Sequence, residues 1–160
     1  MSEDAIDLTH FIKDQTWCES FTIGEIKTLI EFTELVHYKK GDIIAEIGEV
    51  GEALFIVISG EVALLAQEKH SSDVGGIQPG EIMGEMSFFD RRPRSVRLQA
   101  VKKTQLLKLS RSMYQRLKIE HPYITVNILE HAIVSLDRLF RRASKDVSTF
   151  ADYFYAPGRK

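Results

Sequence analysis

The chain of 160 residues has one cysteine, Cys18, so neither a disulfide framework nor a cysteine metal site can be built. Alone, Cys18 reads as a half-buried small hydrophobe. A formal net charge of −2 leaves no basic excess of the kind that draws a protein to nucleic acid or an anionic membrane. No apolar run is long enough to span a bilayer, and the start carries no signal-peptide pattern. Internal repeats and low-complexity segments are absent. The five histidines, His10, His37, His70, His121 and His131, never fall close together, so the strand-paired cluster of a metal-binding barrel is missing, and each reads as a surface or cap residue. No serine or cysteine has a recognisable partner base. Together these absences argue against an enzyme and for a cytoplasmic, single-domain protein.

What is present concentrates in Gly80–Ser95. Pro79-Gly80 makes a turn, a short apolar strand follows, and at Gly84 the chain breaks into a turn that starts a brief helix. Pro93 then fixes the backbone ahead of Arg94 and Ser95. A carboxylate accepts two hydroxyl hydrogen bonds and so can hold a sugar edge, while a guanidinium presents a fork of donors to a phosphate. Free N–H groups at a helix start favour an anion.

Gly84-Glu85, Ser87, Phe88-Phe89 and Pro93-Arg94-Ser95 resemble the phosphate-binding cassette of the cyclic nucleotide-binding domain family. The resemblance implies that Glu85 binds the ribose 2′-hydroxyl. It implies that Arg94 binds the cyclic phosphate, aided by Ser95 and by backbone N–H groups near Met86 and Ser87. Lys40-Gly41-Asp42-Ile43-Ile44, Gly48 to Glu52, and Leu54 to Gly60 follow the family's first half, and the likeness spans about residues 8–144.

Along the chain, Met1 to Asp7 reads as a frayed end. Leu8, Phe11 and Ile12 have helical spacing. Thr22 and Glu25 form a capping box for a helix with Ile26, Leu29, Ile30 and Thr33 on one face. From Leu35, short apolar runs alternate with glycines, the pattern of an antiparallel β-roll of the jelly-roll kind. Gly60 reads as a tight hairpin joining Leu54–Ile58 to Val62–Ala66. Gln67–Asp73 is a loop, Val74–Ile77 a strand, and Arg97–Val101 and Gln105–Leu109 are the last strands. Ser110 caps a helix that His121-Pro122 interrupts. The final helix, 122–144, would be roughly 33 Å long. One of its stripes is Ile128, Ala132, Ser135 and Leu139; the other is Leu129, Ile133, Leu136 and Phe140. So wide an apolar arc needs two partners. The expected division is a helical segment 1–34, a roll 35–109, helices 110–144 and a tail 145–160. The fold class is α+β.

One partner of the last helix is then its own roll; by the resemblance the other is its copy in a homodimer, as in the family's dimeric transcription activators, the alternative being that both stripes pack within one monomer. Those carry a helix-turn-helix after this helix; the sixteen residues after Ser144 are too few for one, so no DNA contact is expected. The expected protein is a stand-alone sensor of cAMP or cGMP with no cofactor or metal, no membrane contact and an unidentified effector. Binding would move the last helix, with Met86, Phe88 and Phe89 packed beneath it. Leu136, Leu139 and Phe140 are candidate base contacts, without the hydroxyls the activators place there. Arg91 and Arg92 are candidates for a second phosphate, which would make the ligand cyclic di-GMP. A further alternative is a degenerate, non-binding protein-interaction domain. Tyr153, Phe154 and Tyr155 in the tail can stack on a purine or dock on the domain's own surface.

Overall fold

Thirteen helices and strands alternate along the computed structural model, which describes residues 3–15, 18, 21–66 and 73–143. Two helices come first, α1 (Glu3–Lys13) and α2 (Ile23–Glu31). Next are β1 (Glu34–Tyr38), β2 (Ile43–Ala45), β3 (Ala53–Ser59), β4 (Val62–Ala66), β5 (Asp73–Ile77) and β6 (Ile82–Met83). A short α3 (Glu85–Asp90) precedes β7 (Val96–Ala100) and β8 (Thr104–Ser110), and α4 (Arg111–Glu120) and α5 (Pro122–Ala143) finish the fold. The antiparallel β-roll flanked by helices is as expected. Helix α1 begins at Glu3, so the segment read as frayed is helical over most of its length. The aromatic tail lies outside the described residues.

Local signals behave as their chemistry dictates. Thr22 Oγ1 accepts from Glu25 N–H, and the Glu25 carboxylate accepts from Thr22 N–H, closing the capping box. Ser110 Oγ accepts from Met113 N–H at 3.2 Å to start α4. Pro122 opens α5, where its missing N–H costs nothing.

The strands form two four-stranded antiparallel sheets, ordered β1-β8-β3-β6 and β2-β7-β4-β5. Of the strands consecutive in sequence, β4 and β5 pair with each other; every other connection crosses from one sheet to the other. Gly60 is therefore a corner and not a hairpin. β3 leaves it paired to β8, with Val57 opposite Leu106, while β4 pairs with β7. A side chain at Gly60 would run into Lys103 O and Thr104, and its φ of +91° is one that glycine adopts freely.

The roll divides the core. Ala53, Phe55 and Val57 of β3 face inward with Val62, Leu64, Leu98 and Leu106. The alternate residues Leu54, Ile56 and Ile58 face the helices and pack with Ile26, Leu29, Leu117 and Ile128. Burial on both faces explains why β3 reads as an unbroken apolar run. Cys18 is fully buried, deeper than expected, and burial pushes its thiol up to about 12. On α5, Ile128, Ala132 and Ser135 are buried, whereas Ile133 and Phe140 of the second stripe are 67% and 70% exposed. Among the described residues no helix is long and apolar enough to cross a membrane, and no three His, Cys, Asp or Glu residues gather as metal ligands.

Candidate functional site

The strand β6 ends at Gly84, whose φ of +85° turns the chain into α3. A Cβ there would lie 3.3 Å from Ala53 O and 3.5 Å from Arg94 Nη2, so the glycine admits both the turn and the guanidinium. Arg94 rises from a segment held on both sides. Its N–H donates to Glu49 O at 2.8 Å, its carbonyl accepts from Gly48 N–H at 2.9 Å, and Pro93 bridges Val50. Gly51 threads between Arg94 and α3; a Cβ on it would sit 2.8 Å from both Arg94 Nη2 and Phe88 N. Its N–H donates to Ser87 Oγ at 2.7 Å, and that hydroxyl donates to Arg92 O at 2.6 Å.

Glu85 is 7% exposed, and its Oε2 is buried without a hydrogen-bond partner. Burial raises its pKa to about 7; its own backbone N–H and Arg94 pull the other way, and Glu81 adds to the rise. Arg94 is half-buried, and desolvation lowers its pKa against the pull of Glu49 and Glu85. Among the described residues its guanidinium forms no ion pair. A carboxylate with a vacant acceptor and a guanidinium with vacant donors thus line one hollow of about 190 Å³, with Gly84, Met86 and Ser95 beside them. Leu136 and Leu139 of α5 roof it. A second hollow of about 450 Å³ adjoins it, sharing Glu85, Met86 and Leu136 and opening between α3 and α5.

The structure gathers Gly84, Glu85, Met86, Arg94, Ser95, Leu136 and Leu139 around the cradle. Ser87 stands apart, its hydroxyl engaged within the cassette. Phe140 is exposed and is not among the residues that line the hollow. Arg91 ends α3 at φ +58°, Arg92 follows on the exposed side, and neither lines either hollow. The expected seat of α3 is also corrected. Phe88 is buried edge-on against Tyr114 of α4, with ring centroids 5.3 Å apart and the Arg111 guanidinium 4.3 Å from its own. Tyr114 and Arg111 thus seat the ring against α4, within the same buried cluster as Ile124, Ile128 and Ala132 of α5. Met86 and Phe89 face α5 across the larger hollow.

Four contributors escaped the sequence reading. Gly51 showed only as turn spacing. Arg111 Nη2 donates to Gly51 O and Phe88 O, each at 2.7 Å, joining α4 to the cassette. His131, read as a surface residue, is 3% exposed with Nε2 2.8 Å from Gly80 O, and burial lowers its pKa. Ser135 Oγ accepts from Ile82 N–H at 3.4 Å. A polar residue inside an apolar helical stripe is the signal that could have found the last two.

A family model for "Cyclic nucleotide-binding domain" matches residues 35–121. The lysophospholipase NTE1 of Pyricularia oryzae is 33% identical over 119 residues, covering 73% of this chain and 8% of that protein. The cyclic AMP receptor protein of Thermus thermophilus is 34% identical over 109 residues, covering 65% of this chain and 49% of the receptor. A cyclic nucleotide-binding domain from Methylobacillus flagellatus superimposes with a TM-score of 0.79 at 20% identity, covering 92% of this chain and 84% of that one, a likeness of fold. The chain thus spans less than a tenth of the fungal relative and about half of the bacterial one.

Proposed function

The chain belongs to the cyclic nucleotide-binding domain family, and on that premise we propose that it holds one cyclic mononucleotide, cAMP or cGMP, between Glu85 and Arg94. The observation that carries the proposal is that Glu85, whose buried Oε2 has no hydrogen-bond partner, lines the same hollow as Arg94, which forms no ion pair among the described residues. A buried carboxylate with no partner costs stability, and a sugar hydroxyl is the kind of donor that removes the cost. Arg94 offers the phosphate a fork of charge-assisted donors. A non-binding domain has no use for either group in this state, which weighs against the degenerate reading. With Arg91 and Arg92 away from both hollows, a cyclic dinucleotide has no second guanidinium to meet.

Binding reaches α5 through a short path. β6 leads directly into Gly84 and Glu85, and α5 is clipped to its start by His131 on Gly80 O and Ser135 on Ile82 N–H. Leu136 and Leu139, one turn further on, roof the hollow. A ligand that lifts or seats this roof biases a two-state element, with coupling of about 1–3 kcal/mol typical of such devices. The exposed stripe of Ile133 and Phe140 is the surface through which two copies pair, so that the module signals as a cytoplasmic homodimer to an effector protein.

Calorimetric titration with cAMP, cGMP and cyclic di-GMP tests the reading. One mononucleotide per chain should bind, and Arg94→Ala should weaken it by about 100-fold or more, since truncating one partner of a charge-assisted pair costs about 2–5 kcal/mol. Equal affinity in Arg94→Ala, or no binding by the parent, overturns it; binding of the dinucleotide alone replaces it with the runner-up.

A further inference from the structure

The polar side chains of the 190 Å³ hollow are Glu85, Arg94 and Ser95, all from one short stretch of chain. The rest of the wall is hydrocarbon: Leu64, Ile77 and Leu98 from the roll, Leu136 and Leu139 from α5. The adjoining hollow continues in the same manner with Phe89, Leu129 and Ile133. Its additional polar residue, Asp90, already accepts Arg92 N–H at 2.8 Å. The smaller hollow is lined by both Glu85 and Arg94, so a nucleotide anchored there by its sugar and phosphate meets its hydrocarbon wall with the base. Among the described residues the smaller hollow has no side-chain donor or acceptor beyond the anchoring end.

We infer that the base is held by apolar contact alone, so the site accepts cyclic purine nucleotides whatever their exocyclic groups and selects at the sugar and phosphate. The inference rests on the cyclic nucleotide reading above and adds to it where selectivity resides. Apolar surfaces grip a purine by its faces, and Leu136 and Leu139, both half-buried, leave its edge in reach of water. A pocket without hydrogen-bonding groups rejects near-isosteres only weakly, about 10- to 200-fold at most, whereas one that pairs with a polar group rejects its absence by roughly 10⁴ or more.

Calorimetry with the parent protein and four ligands decides it: cAMP, cGMP, the cyclic purine nucleotide with hydrogen in place of the exocyclic amine, and 2′-deoxy cAMP. Removing the amine, or exchanging cAMP for cGMP, should change the dissociation constant by no more than about 200-fold. Removing the 2′-hydroxyl should weaken binding by about tenfold or more, because it vacates a bond to a charged, buried acceptor. Leu139→Ala should weaken all four alike and leave their ratios unchanged within about twofold. A change of more than about 200-fold on removing the amine, or between cAMP and cGMP, exceeds what an apolar wall imposes and overturns the inference while leaving cyclic nucleotide binding intact. If none of the four binds, the cyclic nucleotide reading falls and this one with it.

Discussion

Two places in the roll use the same device to opposite ends. At the corner near Gly60 and at the cradle near Gly84, a glycine of positive φ carries the chain out of a strand of the first sheet. At the corner every neighbour is engaged. The buried Thr104 hydroxyl accepts from Glu61 N–H and has Glu61 O and Lys102 O within 3.2 Å, and Val101 N–H also donates to Glu61 O. At the cradle the backbone is equally well held, yet Glu85 Oε2 and the Arg94 guanidinium are left vacant. A fold that satisfies its polar groups at one crossing and leaves a buried acid unsatisfied at another gives up stability there. A ligand that donates to this vacant acceptor, as proposed, would recover that stability.

The sharpest way to break this comparison is to add one methyl group at each glycine. Gly60→Ala places Cβ against the backbone of Lys103 and Thr104 as well as in a left-handed conformation. It should cost about 3–4 kcal/mol in urea denaturation. Gly84→Ala meets its nearest atoms at 3.3–3.5 Å and should cost about 1 kcal/mol, mainly the backbone strain. Equal costs would mean that the cradle is as closed as the corner.

The next effect is a dependence on pH. Burial raises the Glu85 pKa from the ordinary carboxylate value to about 7, with Arg94 lowering it and Glu81 raising it. The folded state therefore binds this proton more tightly than the unfolded chain does. Its contribution is fully present below the unfolded value, and stability falls as the pH rises through the window up to about 7. Glu85→Gln removes the loss. At pH 8 it should be more stable than the parent by up to about 3 kcal/mol, and below about pH 4 nearly equal to it. Nucleotide affinity should run the other way. The ionised acid is the better acceptor, so the parent's affinity should rise from pH 6 to pH 8 by up to about tenfold. Glu85→Gln should bind more weakly at pH 8 by about 10- to 100-fold. Parallel pH profiles for the two proteins would place the titration elsewhere.

What the sequence disclosed and what it withheld divide along the range of the interactions involved. The capping box of Thr22 and Glu25, the Ser110 cap and the start of α5 at Pro122 are decided within a turn of chain, and each was legible. The cassette was legible too, because its glycine, acid and arginine are close in sequence and serve one hollow. The partner of β3 was not. Apolar residues on either side of Gly60 look alike whether the two strands pair or part, and the pairing of Val57 with Leu106 depends on residues about fifty positions away. The seat of Phe88 was lost for the same reason, since Tyr114 and Arg111 approach it from a later helix. His131 and Ser135 bond to the backbone of Gly80 and Ile82; a polar residue in an apolar stripe marks them as partnered, but the sequence does not say with which carbonyl or N–H.

The smallest contrast lies inside the cassette, between two serines that the sequence alone cannot tell apart. Ser87 Oγ accepts from Gly51 N–H and donates to Arg92 O, so it splices the Gly51 loop to the end of α3. Ser87→Ala leaves a buried N–H without a partner and should cost about 1–2 kcal/mol of stability. Any loss of nucleotide affinity would follow from a displaced Gly51 and Arg94. Ser95 is exposed, lines the hollow beside Arg94, and has no hydrogen-bond partner among the described residues. Ser95→Ala should leave stability unchanged within about 0.5 kcal/mol. A hydroxyl that reaches the phosphate contributes one bond to a charged acceptor, so affinity should fall by about 3- to 10-fold. Denaturation and titration of the same two variants separate the roles. A serine that holds the cassette moves the first measurement, and one that holds the ligand moves only the second. If Ser95→Ala left both unmoved, the phosphate would rest on Arg94 and the backbone alone.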